Sequence, residues 1–531
     1  KDIDIGKIDA KEEFDDISLE TNEKFFDRFL IPDSVNIDHF ISGKKYFFSG
    51  LRGVGKTSLL RYTIFRLQPA SHFRRIVLFK SEVSETERAQ ISSQSGFDWS
   101  EVSANRMEIS QDFKAAWLWF ICHKIGEMIV SHPEITKSDQ ETAIFLKLLG
   151  ISEPFYNKIL GYLPRLEAGH AKVSTGISFF QMELQGDFQP KGKDGGSVLF
   201  DSLVNRTISQ LTKITFTGRI VIGFDELEAF YISSEQYARD LRLVRDLVFS
   251  VDRINKKMQQ FSCNVQLFCS VRSEVLGAMG AIGQEVDRTV YDRGTNIVWH
   301  HATRSLNHPL IELVRRKILS STGPLENDPI NSLFPENIQG EALDVFLLDR
   351  SFYRPRDLMW RLSLAIENFP NSSKFNEDVL LKTENEYSSK LWSEIEYEVS
   401  AIYTKDEISA ITSVLSGAPR YFRIDQIQQR AEQKSKFSEA LRKMNSRNNW
   451  ADVLQNLYRI GAIGNNFRTG SRGQVRNRWI FRGDKDLLLE EQMEINPALA
   501  KHLSAVDARR RGGKKRNRSR TGEKAQGTNI Q

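Results

Sequence analysis

The residues Gly50-Leu51-Arg52-Gly53-Val54-Gly55-Lys56-Thr57 fit the spacing G-x-x-x-x-G-K-[ST]. That spacing makes a cradle for phosphate. The glycines let successive backbone N–H groups turn inward around phosphate oxygens, where side chains would collide. The lysine reaches the β and γ phosphates, and the hydroxyl beside it ligates Mg2+. A helix starting near Lys56 adds its positive N-terminal end. The pattern therefore predicts a nucleotide-binding set of Gly50, Arg52, Gly53, Val54, Gly55, Lys56, Thr57 and Ser58. In that set Lys56 also acts on the transferred phosphoryl group and Thr57 also holds the metal. The structural alternative is a glycine-rich turn before an ordinary helix.

The elements on either side suit the first reading. Lys45 to Ser49 (KYFFS) has the composition of a strand, and Ser58 to Leu67 places Leu59, Leu60 and Ile64 on one helical side. A second buried-strand run, Arg219 to Phe224 (RIVIGF), ends in Asp225-Glu226. A carboxylate at a strand end stands at the sheet's carboxyl edge, where α/β folds bind ligands. Asp225 is expected to hold the Mg2+ shell and Glu226 to polarise a water for in-line attack. The alternative here is an acidic helix start favoured by the helix dipole, the reading assigned to Glu228. Thr136-Lys137-Ser138-Asp139 matches the T-K-x-D guanine signature superficially, but it precedes the Asp225 strand, and no D-x-x-G begins at Asp225. ATP is therefore the expected nucleotide.

At 531 residues the chain is too long for one core, so three or four domains are expected. Short apolar runs at 75–80, 219–224, 265–271 and 296–299, separated by helical stretches, predict an α/β domain with a parallel sheet covered on both faces. Residues 82–215 form an insertion that core-strand spacing does not require. It carries the Trp117/Trp119 helix, helical periodicity to about Glu167, a hairpin suggested by Ile177, Phe179 and Leu184, and a loop at 190–197 (PKGKDGGS). Residues 308–400 read as mostly helical. From 405 to 485, helical stretches at Glu407–Leu415, Ile424–Glu432 and Trp450–Ile460 precede a basic hairpin (FRTGSRGQVRNRWIFRG), the order of a winged helix.

The net charge of +5 is misleading, because Arg509 to Lys524 holds nine Lys/Arg against one Glu. Removing that excess leaves about −3 on the rest, so attraction to nucleic acid would come chiefly from the tail (ARRRGGKKRNRSR), read as disordered. Cys122, Cys263 and Cys269 lack metal-ligand spacing and suit a reducing cytosol. The apolar stretch Ala115 to Val130 is shorter than a membrane span and carries His123, Lys124 and Glu127, and residues 1–16 have no signal-peptide core. A cytoplasmic protein with no membrane partner is expected. The adjacent His300-His301 lacks an accompanying carboxylate pattern and reads as strand-end packing.

Taken together, GLRGVGKT, IGFDELE, FCSVRSE (268–274) and YRPRDL (353–358) resemble the AAA+ and STAND P-loop ATPases, in particular prokaryotic STAND-like and initiator-type members. The resemblance covers roughly residues 40–80 and 215–490. It implies a P-loop ATPase core at 41–305 after an N-terminal segment (1–40), a helical lid at 306–400, a winged helix at 401–490 and a basic tail at 491–531. It also implies a sensor at Ser270, a γ-phosphate reader at Arg272 and a lid arginine, Arg354 or Arg356, at the helix start fixed by Pro355. The structural alternatives are a surface pair of Arg272 with Glu274 and a capped helix start with an ion pair. An arginine finger from a neighbouring subunit, with Arg315 and Arg316 as candidates, would imply a homo-oligomer.

The winged helix has two readings: Arg459, Arg468, Arg472, Arg476 and Arg478 meet DNA phosphates, or the domain packs on the ATPase and locks ADP in place. Trp450, Leu454, Leu457 and Tyr458 are assigned to its core. The expected function is an ATP-hydrolysing regulatory switch that controls assembly or a separate effector, in anti-phage defence or DNA maintenance. The alternatives are a DNA-acting motor or loader, and a nucleotide-stabilised scaffold that barely hydrolyses.

Overall fold

Three strands are buried almost without interruption: β1 (Phe47–Gly50), β3 (Ile220–Leu227) and β4 (Val265–Arg272). Such burial, rather than alternation, marks a sheet covered on both faces. The structure is a computed structural model that describes residues 3–8, 25–69, 73–79, 113–137, 139–151, 195–227, 234–280, 286–300, 305–400, 402–447, 449–469, 474–484 and 486–507. It divides into two units, residues 7–299 and residues 1–6 with 300–531.

In the first unit, β2 (Arg74–Leu78) and β5 (Gly294–Asn296) complete a five-stranded sheet in the order β2-β3-β4-β1-β5, every pair parallel. The last strand starts two residues earlier than expected, and Ile297 beyond it still donates its N–H to Ser49 O at 2.8 Å. Around the sheet run α1 (Ile37–Ile41), α2 (Lys56–Leu67), α3 (Lys114–Ser131), α4 (Gln140–Leu148), α5 (Gly195–Leu211), α6 (Ser234–Gln260), α7 (Ser273–Gly280) and α8 (Val286–Arg293). Residues 195–197, expected in a loop, instead open α5, whose Val204, Ile208 and Leu211 are buried at helical spacing. The hairpin expected around Ile177, Phe179 and Leu184 lies outside the described residues.

Gly223 lets α2 lie directly on β3. A Cβ there would stand 2.4 Å from Ile64 Cδ1 and 3.2 Å from Leu60 Cδ1, inside their van der Waals shells. Gly223→Ala is therefore expected to destabilise the first unit by about 1–3 kcal/mol, read from the denaturation midpoint. Because α2 also opens the glycine-rich loop, the same substitution should weaken nucleotide binding.

α3 contains the expected tryptophans. Trp117 is fully buried and donates Nε1–H to Leu243 O at 2.9 Å. On the same helix, half-buried His123 packs edge-on against Trp119. Burial pushes its imidazole down to about 4 from the ordinary 6.5, against the pull of the nearby Glu127 carboxylate. The unfolded chain thus takes up the proton first as pH falls. The contribution of a neutral His123 is complete above pH 6.5 and is lost as pH falls toward 4. Allowing for partial exposure, about 1–2 kcal/mol should disappear between pH 7 and pH 5. Chemical denaturation at the two pH values should show that loss in the wild type and a smaller one in His123→Gln.

The second unit is helical from α9 (Pro309–Thr322) and α10 (Pro329–Leu333) through α11 (Leu343–Asp349), α12 (Pro355–Asn368), α13 (Glu377–Lys382) and α14 (Glu384–Val399). Between α10 and α11 lies a two-residue-per-strand hairpin, β6 (Asn337–Ile338) and β7 (Glu341–Ala342). The unit continues with α15 (Lys405–Leu415), β8 (Tyr421–Phe422), α16 (Ile424–Ser435), α17 (Glu439–Ser446), α18 (Trp450–Arg459), β9 (Ile463–Thr469), β10 (Gln474–Arg478) and β11 (Met493–Ile495). The last four strands form an antiparallel sheet in the order β10-β9-β11-β8. α17 is not anticipated by the sequence reading, since it buries only Leu441 and Met444, too few residues to show a period. Trp450, Leu454, Leu457 and Tyr458 are buried, as assigned. Among the described residues no helix is long and apolar enough to cross a membrane.

Candidate functional site

β1 runs straight into the glycine-rich loop, and α2 follows at Lys56. Gly55, the N-cap of α2, has φ +91°, and a Cβ there would meet nothing within 4 Å. Its requirement is thus conformational, a left-handed backbone that glycine adopts without penalty. No side chain caps α2, and the start of a helix attracts anions. Thr57 and Ser58 lie half-buried in that turn.

The loop is fastened from below. Leu51 and Val54 are buried, and Trp299 donates Nε1–H to Val54 O at 2.8 Å. Glu274 Oε1 accepts the Arg52 N–H at 3.4 Å. Lys56 Nζ donates to Gly50 O and Leu51 O, each at 2.9 Å, which holds the ammonium over the first half of the loop. Sequence reasoning missed Trp299, because a tryptophan three residues beyond a short strand carries no motif.

Sheet order brings the other candidates to the same edge. β4 lies between β1 and β3, with Ser270 in register with Phe48 and Arg272 with Gly50. On β3 the ladder to β4 shifts between Phe224, opposite Cys269, and Leu227, opposite Val271. Asp225 and Glu226 therefore face Ser270 alone, as in a β-bulge, a device that re-aims side chains beside active sites. Glu226 has φ +59°, a left-handed conformation that costs a non-glycine residue about 1–2 kcal/mol.

On β3 and β4, Asp225 Oδ2 and Ser270 Oγ are buried without a hydrogen-bond partner, on residues only 3% and 2% exposed. An unsatisfied buried group is costly, so a pair beside a phosphate-type loop fits a polar ligand. A Mg2+ ion bound with a triphosphate fits the donors present, one hydroxyl (Thr57) and one orphaned carboxylate oxygen (Asp225), with phosphate and water supplying the rest. Among the described residues no group of three or more His, Cys, Asp or Glu could hold a metal independently. Arg272 is half-buried at the end of β4. The T-K-x-D match is structural: Asp139 Oδ1 caps α4 by accepting the Thr142 N–H at 2.9 Å, and Thr136 bridges to Phe216.

The lid arginines belong to the second unit. Pro355 opens α12 as expected. Arg354 is buried, donates Nη2–H to Ile460 O at 3.1 Å, and lies over the Phe352 ring and 3.8 Å from Asp357. Arg356 pairs with Glu394 and Asp357. Asp357 is fully buried, and burial raises its carboxyl despite the two guanidinium groups. Just before these residues, buried Phe352 and Tyr353 both have left-handed backbones, φ +52° and +50°, which the sequence does not announce. Arg315 is held by Glu312 and Asp328, and Arg316 by Glu312. On the β9–β10 hairpin Arg468 and Arg476 are exposed, and Arg478 lies 3.8 Å from Asp484. Arg459 donates to Asn456 Oδ1, and Arg472 lies outside the described residues. His300 packs edge-on against Tyr353, in line with the packing reading.

No curated protein matches the chain. Residues 308–396, which run from the start of α9 into α14, match the family described as the FunZ-associated C-terminal helical domain.

Proposed function

We propose that the chain is a P-loop ATPase of the AAA+/STAND kind, with a helical lid at 306–400 and a winged helix at 401–490. ATP turnover would set a regulatory switch that governs self-assembly or a separate effector protein. The observation that carries this reading is the pairing of an uncapped glycine loop with two orphaned buried oxygens, Asp225 Oδ2 two strands away and Ser270 Oγ one strand away.

On this reading the loop amides and Lys56 bind the phosphates, and Ser270 donates its hydroxyl toward them. Thr57 and Asp225 would hold Mg2+, which neutralises β- and γ-phosphate oxygens when bound. Glu226 orients and deprotonates the attacking water, and the bulge that holds its left-handed backbone sets the direction of its carboxylate. Arg272 would read the γ phosphate, and Arg354 or Arg356 would be the lid arginine. Asp139 is committed to a helix cap, which supports ATP over GTP.

The helices α15, α16 and α18 followed by the β9–β10 hairpin support the winged-helix reading. The exposed Arg468 and Arg476 on that hairpin favour a second reading, a DNA-acting ATPase aided by the basic tail. Steady-state ATP hydrolysis with and without double-stranded DNA separates the two. The switch predicts slow turnover indifferent to DNA. Stimulation that fades as salt rises and falls on removing residues 509–531 would replace it with the DNA-acting reading.

A further inference from the structure

Glu274 stands on the second residue of α7, just beyond the strand that carries Ser270 and Arg272. An acidic residue at a helix start ordinarily interacts with its own helix dipole. Here its Oε1 instead accepts the N–H of Arg52, 222 residues away on the phosphate loop. Its other oxygen, Oε2, is buried and has no hydrogen-bond partner. A carboxylate is thus held against the loop whose amides would receive a triphosphate.

From this geometry we infer that Glu274 is a positioning residue that limits the site's affinity for polyphosphate. The inference rests on the reading of residues 50–58 as the ATP phosphate site. Glu274 fixes the loop through the Arg52 amide while its negative charge opposes the arriving anion. Two like-charged groups sharing one set of donors repel, and the repulsion grows with the charge of the ligand. ATP should feel it more than ADP. A bound triphosphate is thereby held less tightly than the loop alone would allow, which keeps exchange fast in a protein that must respond to nucleotide.

The test uses the full chain and Mg2+ with mant-ATP or mant-ADP, comparing wild type, Glu274→Gln, Glu274→Ala and Lys56→Ala. Glutamine keeps an oxygen for the Arg52 N–H and removes only the charge. Its Kd for ATP should fall roughly 3- to 10-fold, with a smaller fall for ADP. The gain should shrink when NaCl rises from about 50 mM to about 500 mM, a response that a merely structural role would not show. Glu274→Ala loses the acceptor as well and should recover less of the gain. An unchanged or weaker ATP affinity in Glu274→Gln, with Lys56→Ala still defective, overturns the role of Glu274 alone. If wild type and Lys56→Ala bind mant-ATP equally, the phosphate-site reading fails and this inference fails with it.

Discussion

Lys56→Ala should weaken MgATP binding by about two orders of magnitude and abolish measurable turnover. The loop itself places this formal positive charge over its first half, through Gly50 O and Leu51 O at 2.9 Å. A hydrogen bond to a charged group contributes about 1.5–3 kcal/mol, and Lys56 would make such bonds to two phosphates at once. Losing about 3 kcal/mol corresponds to a factor of about 150 in Kd. The same change removes two internal hydrogen bonds, so thermal melting without nucleotide should drop only slightly, by about 1 kcal/mol of stability. Titration calorimetry with ATP and Mg2+ separates the two effects. An affinity within twofold of wild type would mean that the loop does not bind phosphate. Lys56→Arg should rescue little, because a forked guanidinium does not fit a seat shaped for a compact ammonium between two carbonyls.

The glycine-rich loop between β1 and α2 was legible because its glycines, lysine and threonine are consecutive in the sequence. The β3 strand was legible for a similar reason, as an unbroken apolar run ending in Asp225-Glu226. What holds these pieces together was not. Trp299 reaches Val54 O, and Glu274 reaches the Arg52 N–H, across more than two hundred residues, and neither belongs to a periodic pattern. The bulge at Asp225-Glu226 depends on the register of two strands separated by α6, which no local window contains. Arg354 illustrates the limit most clearly. The resemblance implied a lid arginine at a helix start fixed by Pro355, and Pro355 does start the helix. The guanidinium, however, donates to the carbonyl of Ile460 at the end of α18, over a Phe352 whose left-handed backbone nothing in its side chain foretells. Helix content through 309–399 was visible in spacing, while α17, with two buried residues, fell below what spacing reveals.

Glu226→Gln should leave MgATP binding intact while lowering kcat by about 10²–10⁴-fold, the contribution expected of a positioned general base. Glutamine has the shape of glutamate and should accept the same left-handed backbone, so a loss of kcat at constant Kd isolates the lost carboxylate. The backbone offers a second, independent measure. At φ +59° a glutamate is strained, whereas glycine adopts that conformation without penalty. Glu226→Gly should therefore hold or raise stability by up to about 1 kcal/mol while abolishing turnover. Strain kept at one residue for the sake of its carboxylate predicts opposite movements of stability and activity, and a simple core residue predicts parallel ones. Denaturation midpoints and single-turnover hydrolysis on the two variants distinguish these cases. If Glu226→Gln hydrolyses ATP as fast as wild type, Glu226 is not the base. If Glu226→Gly loses stability along with activity, the bulge serves the fold rather than the chemistry.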